Sequence, residues 1–275
     1  MVLLKIFKSV MKYPKSLKYV LFRFAETFGL LPMARAVEYD LLPYSQYAYG
    51  VYQAALQAKG LGVSAISVIE FGVAGGKGLV ALEQHALRAT KETGVSINVY
   101  GFDAESGLPQ PADYRDLPYV WKKGSYTMDF TALSTALKDA ELITGDVSET
   151  VPAFIQSVEH PPIGFVSFDM DYYSATKAAL PILEGQAVTK LPRVLLYFDD
   201  LIGSDTALHS RYSGEMLAIS EFNNQFEHMK IDLISLLKHK RVYPAAWNDL
   251  MFALHDFDHP SYNTYIGAAN SQLPL

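Results

Sequence analysis

The residues best placed to do chemistry are carboxylates at the ends of apolar runs. "FVSFDMDYYSAT" (165 to 176) delivers Asp169 and Asp171 two positions apart, and "LLYFDD" (195 to 200) delivers Asp199 and Asp200. In a period-two strand the first pair would share a face and repel. Neighbouring parallel strands bring such ends to one edge, where clustered carboxylates raise one another's pKa unless a cation intervenes. A hard divalent cation such as Mg2+ answers the repulsion, since it takes carboxylate oxygens and keeps positions open for a substrate oxygen. Capping offers a competing use: Asp171 could cap a helix over "YYSATKAAL", and Asp200 a turn at "LIGSD".

Three other strand ends carry polar residues. "EFGVAGGKG" (70 to 78) places Glu70 before Gly72, Gly75, Gly76 and Gly78, a tight turn that lets backbone N–H groups and a helix N-terminus approach a ligand. It is not a phosphate-binding P-loop, because Gly78 stands where a hydroxyl is needed, and it lacks the G-x-G-x-x-G of a dinucleotide site. Asp103, ending the second run, can accept both hydroxyls of a ribose. In "TGDVSET" (144 to 150), Asp146 or Ser148 could meet an adenine ring, or could cap the helix that follows.

A sheet must position these ends. Short apolar runs at 65–72, 97–104, 140–147, 163–171 and 193–200 alternate with helix-spaced segments, the pattern of a parallel sheet covered on both faces. "KIDLISLL" and "NDLMFALHDF" follow each other like an antiparallel pair, and "PQPADYRDLPYVWKKG" reads as an insertion after the second strand. The expected fold is α/β: a doubly wound, mostly parallel Rossmann-like sheet with an antiparallel C-terminal strand. Residues 1–60 read as a helical N-terminal extension or cap, and 61–275 as the ligand-binding domain.

The 275 residues are 50% hydrophobic and 19% charged, enough for one large core. A net charge of −6 argues against a nucleic-acid binder with a broad basic face, and the absence of cysteine removes disulfides, thiolate metal sites and a cysteine nucleophile. Before Glu26 the chain carries only basic charges, with Leu3, Leu4, Phe7, Val10 and Met11, then Leu17, Val20, Leu21 and Phe24, at helical spacing. No run approaches a membrane span and no cleavable signal is read. A cytoplasmic protein is expected. The basic helix packs on the core or a second subunit, or touches a membrane surface peripherally.

Taken in order, "VIEFGVAGGKG", "VYGFDAESGLPQP", "LITGDVSETVPAF", "FVSFDMDYYSATKAALPIL" and "LLYFDDLIG" resemble the class I S-adenosylmethionine-dependent methyltransferases. More narrowly, "DAESGLP" and "DMDYYSAT" are similar to signatures of the macrocin O-methyltransferase family, metal-dependent enzymes of sugars and natural products. The resemblance covers residues 65 to 225. It implies a cofactor pocket for S-adenosylmethionine from Glu70, Gly72 and Gly76, with Asp103 on the ribose. It also implies Mg2+ held by Asp171, Asp199 and Asp200, with Asp171 doubling as base toward a hydroxyl acceptor. Asp169, one pleat deeper, becomes a supporting partner. The chain departs from the family at Ala74 and Gly75, where a bulky residue and an arginine are usual, and at Ser106, where glutamate is usual.

His209 follows the fifth strand within ten residues and is the acceptor-site candidate, whereas "HDFDHP" reads as a polar loop. The expected activity is in-line O-methyl transfer to a small hydroxylated acceptor with neighbouring oxygens, by a homo-oligomer. Two other readings stand beside it: a degenerate methyltransferase-like scaffold or membrane-surface partner in glycan assembly, and an NAD-type oxidoreductase. The second of these wants a glycine fingerprint that the chain lacks.

Overall fold

The computed structural model describes residues 16–157, 159–186 and 189–267, so the first amphipathic stretch, Leu3 to Met11, lies outside the described residues. Three helices come first: α1 (Leu17–Thr27), α2 (Met33–Glu38) and α3 (Ser45–Leu61). Strands and helices then alternate as β1 (Ala65–Phe71), α4 (Lys77–Thr93), β2 (Ser96–Asp103), α5 (Phe130–Ala136), β3 (Glu141–Thr144), α6 (Val147–Ser157), β4 (Ile163–Phe168), α7 (Tyr173–Ala179) and β5 (Lys190–Phe198). The chain closes with α8 (Gly214–Gln225), β6 (Met229–Leu233), α9 (Leu237–Lys240) and β7 (Met251–Asp256).

The seven strands lie in the order β3-β2-β1-β4-β5-β7-β6. β1 to β5 are parallel, and β7 runs antiparallel to both β5 and β6. The parallel strands are continuous apolar runs because both faces are covered. Ile66, Val68 and Phe165 pack beneath α3 and α4, against Val51, Ala54, Leu79 and Leu82. Ile69, Val166, Val194 and Leu196 face the opposite way, against Val151 and Phe154 of α6 and Ile219 and Phe222 of α8. Helix α3, within the N-terminal stretch, belongs to this layer: a Cβ on Gly50 would lie 2.3 Å from the Phe165 ring, so only glycine lets the helix come this close to β4. "KIDLISLL" is strand only as far as Leu233, because Leu236 turns left-handed (φ +62) into α9.

One feature of register organises the ligand-facing edge. Phe102, Phe71, Phe168 and Phe198 pair across four adjacent strands. Their rings form a row, with centroids 4.7, 5.5 and 4.8 Å apart. Each phenylalanine is followed at once by a residue of the edge: Asp103, Gly72, Asp169 and Asp199. The buried aromatic row fixes the height of the strand ends, and the residues after it emerge together at the C-terminal edge, flanking the switch point between β1 and β4.

Candidate active site

The turn after β1 is built on Gly72. Its φ of +84 is left-handed, and a Cβ there would lie 1.7 Å from the Asp169 carbonyl oxygen. The Asp169 N–H in turn donates to the Phe71 carbonyl (3.0 Å), so the glycine turn and the aspartate turn touch backbone to backbone. Gly76 (φ +76) closes the turn, and α4 starts at Lys77. Asp103 holds the loop from the neighbouring strand: its two oxygens accept the N–H groups of Ala74 and Glu105, each at 2.7 Å. Each oxygen keeps a second lone pair for a ligand.

Glu70 is buried, at 2% exposure, where it borders the main cavity. The Tyr47 hydroxyl of α3 donates to its Oε1 (2.7 Å) and itself accepts from Ser167 (3.0 Å), while Oε2 is enclosed without a partner. Burial raises the Glu70 pKa well above the ordinary carboxylate value, and Asp169 and Asp103 push it the same way.

Carboxylate oxygens of Asp169, Asp199 and Asp200 lie within 4.8 Å of one another, and Asp171 is not part of this triad. The reason is backbone. β4 ends at Phe168, and Asp171 takes a left-handed φ of +64, so period-two alternation does not extend to it. Its N–H donates to Asp200 (2.7 Å). The charges acting on Asp169 are all carboxylates. Burial and then Asp199 and Asp171 raise its pKa to about 8. Asp171 is raised to about 6 by burial and by Asp199, against a hydrogen bond with Asp200. Asp200 is pushed well above its ordinary value by burial, then by Asp171 and Asp169. Two further residues complete the cluster. Tyr197 donates to Asp199 (2.5 Å), and the buried Glu215 accepts the Asp200 N–H (3.1 Å) with its Oε1 left without a partner. Three hard oxygen donors crowded together, beside an orphaned fourth carboxylate, are a donor set that fits a divalent cation.

The third strand end shows the capping use and also borders the cavity. Asp146 accepts the N–H and hydroxyl of Ser148 (2.8 and 2.6 Å) at the start of α6, while both residues still line the cavity. The insertion after β2 is fastened by the buried Asp116, which accepts the Ser174 N–H (2.8 Å) at the head of α7. That fastening brings Trp121 and Tyr126 to the cavity wall. His209 does not line this cavity. It lines a neighbouring one of about 880 Å3 that meets the first at Ile202, because the loop after β5 carries it away toward β6.

The main cavity, about 930 Å3, takes in the glycine turn, Asp103, Asp146 and all four aspartates. Among its described lining residues are seven carboxylates and one cation, Lys77. Tyr197 and Glu215 carried no expected role, and Asp169 was expected as a supporting partner rather than as a ligand. Asp169 nevertheless had a signal, since it follows a strand-end phenylalanine as Asp103 and Asp199 do.

No family model and no curated protein matches the sequence. Solved structures do match. A calicheamicin methyltransferase, CalS11, aligns over 91% of this chain and 90% of its own, at 20% identity and a TM-score of 0.52. The O-methyltransferase NovP aligns over 76% of this chain and 78% of its own, at 14% identity and a TM-score of 0.50. With the strand order and the ligand-facing edge described above, these likenesses give the chain the fold of the class I S-adenosylmethionine-dependent methyltransferases.

Proposed function

We propose that this chain is an S-adenosylmethionine-dependent O-methyltransferase acting on a hydroxyl of a sugar or natural product, with Asp169, Asp199 and Asp200 holding Mg2+. The observation that carries this reading is the acidic lining of the cavity, seven carboxyl groups against Lys77, three of them gathered where a divalent cation would hold them ionised. That field favours a cofactor with a sulfonium and an ammonium, and a divalent cation beside it. It repels the two negative charges of a dinucleotide's diphosphate, which disfavours an oxidoreductase. The calicheamicin methyltransferase and the O-methyltransferase NovP share the fold and support the same reading.

In this reading Asp103 takes the ribose hydroxyls, and Asp146 and Ser148 border the adenine. Lys77 receives the cofactor's carboxylate in place of the family's arginine. The cation, when bound, lowers the pKa of a coordinated hydroxyl and orients it. Asp171 receives the acceptor's proton at its carboxylate, whose pKa of about 6 leaves it ionised near neutrality. The methyl carbon's bond to sulfur breaks as its bond to the acceptor oxygen forms, and the electron pair returns to a neutral thioether. Trp121 and Tyr126 limit water, and an acceptor long enough to cross Ile202 reaches His209.

Calorimetric titration tests the cofactor: S-adenosylhomocysteine should bind in the micromolar range and NADH should not. The metal is tested by methyl transfer to a panel of diols and catechols, with and without EDTA, in the parent and in Asp199→Ala. Both treatments should abolish transfer. Transfer indifferent to both would overturn the metal assignment while leaving the cofactor assignment standing.

A further inference from the structure

Helix α1 is apolar on two sides, and among the described residues only one of them is covered. The inner side is pinned to the body. Tyr19 meets Tyr243 edge-on at 5.2 Å, Phe22 meets Tyr39 at 4.9 Å, and Glu26 pairs with Arg88 at 2.6 and 3.1 Å. The Arg23 guanidinium donates to the Leu41 carbonyl. The outer side presents Leu17, Leu21, Phe24 and Phe28, spaced four, three and four apart, followed by Leu30, each more than half exposed. The Phe24 and Phe28 rings touch edge-on at 5.0 Å. An apolar stripe on a helix is ordinarily buried against protein or lipid, and this one leaves five large side chains exposed.

Charge indicates what covers it. On α1 Lys18 is exposed and Glu26 is turned inward onto Arg88, while Arg35 beyond the helix pairs with Glu38. In the sequence just before α1, outside the described residues, stand Lys5, Lys8, Lys12 and Lys15. Residues 1–25 thus carry six positive charges and no negative one, against a net charge of −6 for the whole chain, which leaves −12 on the remainder. The sequence is polarised, basic before Glu26 and acidic over the remainder. A second copy seated face to face on α1 would bring two such positive clusters together. An anionic lipid surface complements the cluster, accepts the apolar side chains below its headgroups, and repels the acidic body so that the molecule docks by this end alone.

We propose that the outer face of α1, with the lysines preceding it, docks the protein on anionic membrane surfaces. The test is co-sedimentation of the full chain with phosphatidylcholine vesicles, with and without phosphatidylserine. Binding is expected only with phosphatidylserine and is expected to weaken as salt is added. Replacing Lys5, Lys8, Lys12 or Lys15 with glutamine should lower the partition coefficient by about fivefold for each lysine. The double variant Phe24→Ser, Phe28→Ser should lose at least about tenfold. Its melting temperature and S-adenosylhomocysteine binding should stay at parental values, because both rings are already in water. Absent binding, or equal binding to neutral vesicles, overturns the proposal. So does self-association in sedimentation velocity that the double variant abolishes without any vesicle binding, a result that would assign the face to a second copy.

Discussion

The carboxylate triad makes a sharp prediction about pH. Asp169 is held at a pKa of about 8 against an ordinary 3.8, by burial and by the charges of Asp199 and Asp171. A carboxyl whose pKa is raised on folding binds its proton more tightly in the native state. Its contribution to stability is complete below the unfolded value and is lost as pH rises through the folded one. For a single group with these two values, the loss from about pH 6 to about pH 8 is about 2 kcal/mol. For a chain of this length that is a fall in Tm of about 4 °C. Glu70, Asp200 and Glu215 are raised in the same direction and add to the loss. The assay is thermal unfolding of EDTA-treated protein across this range. The parent's Tm should fall with pH, and Asp169→Asn should flatten the curve by the amount given. Saturating Mg2+ should flatten it too, because the cation replaces the protons as the partner of the cluster. The apparent Mg2+ affinity should then drop at least about tenfold per pH unit below about pH 8, because the proton on Asp169 and any on Asp200 must leave as the cation binds. A metal-free Tm that is level or rises between those pH values would falsify the reasoning, as would an Asp169→Asn protein with the parental slope.

Three further substitutions probe the rest of the site. Lys77→Ala should weaken S-adenosylhomocysteine binding about tenfold, the worth of one charged hydrogen bond of about 1.5 kcal/mol, with Tm unchanged; calorimetry that shows parental affinity removes Lys77 from the cofactor site. Gly72→Ala sets a Cβ against the Asp169 carbonyl in a left-handed conformation, so chemical denaturation should show a loss of at least about 2 kcal/mol together with weakened cofactor binding. Tyr47→Phe leaves Glu70 Oε1 and the Ser167 hydroxyl without their shared partner, and the same measurement should register a loss of about 1–3 kcal/mol.

Much of the architecture was legible in residue order alone. Continuous apolar runs alternating with helix-spaced segments specify a parallel sheet because such runs need both faces covered, and the polar residues that end them must reach its C-terminal edge. Glycines at 72 and 76 announced a turn because few other residues take a left-handed φ without strain. Tertiary structure decided which residues of that edge meet. The choice between Asp169 and Asp171 depended on where β4 stops pairing: one residue beyond Phe168 the alternation that would align the two aspartates no longer applies. Glu215 reaches Asp200 across fifteen residues, and Tyr47 reaches Glu70 across twenty-three, distances at which periodicity carries no information. His209 is near Asp200 in sequence yet lines another cavity, because the path of the loop after β5 is set by its packing and not by its composition. Local sequence determines what each segment does with its own backbone, whereas the convergence of side chains from different segments follows from the register of strands and the packing of helices on them.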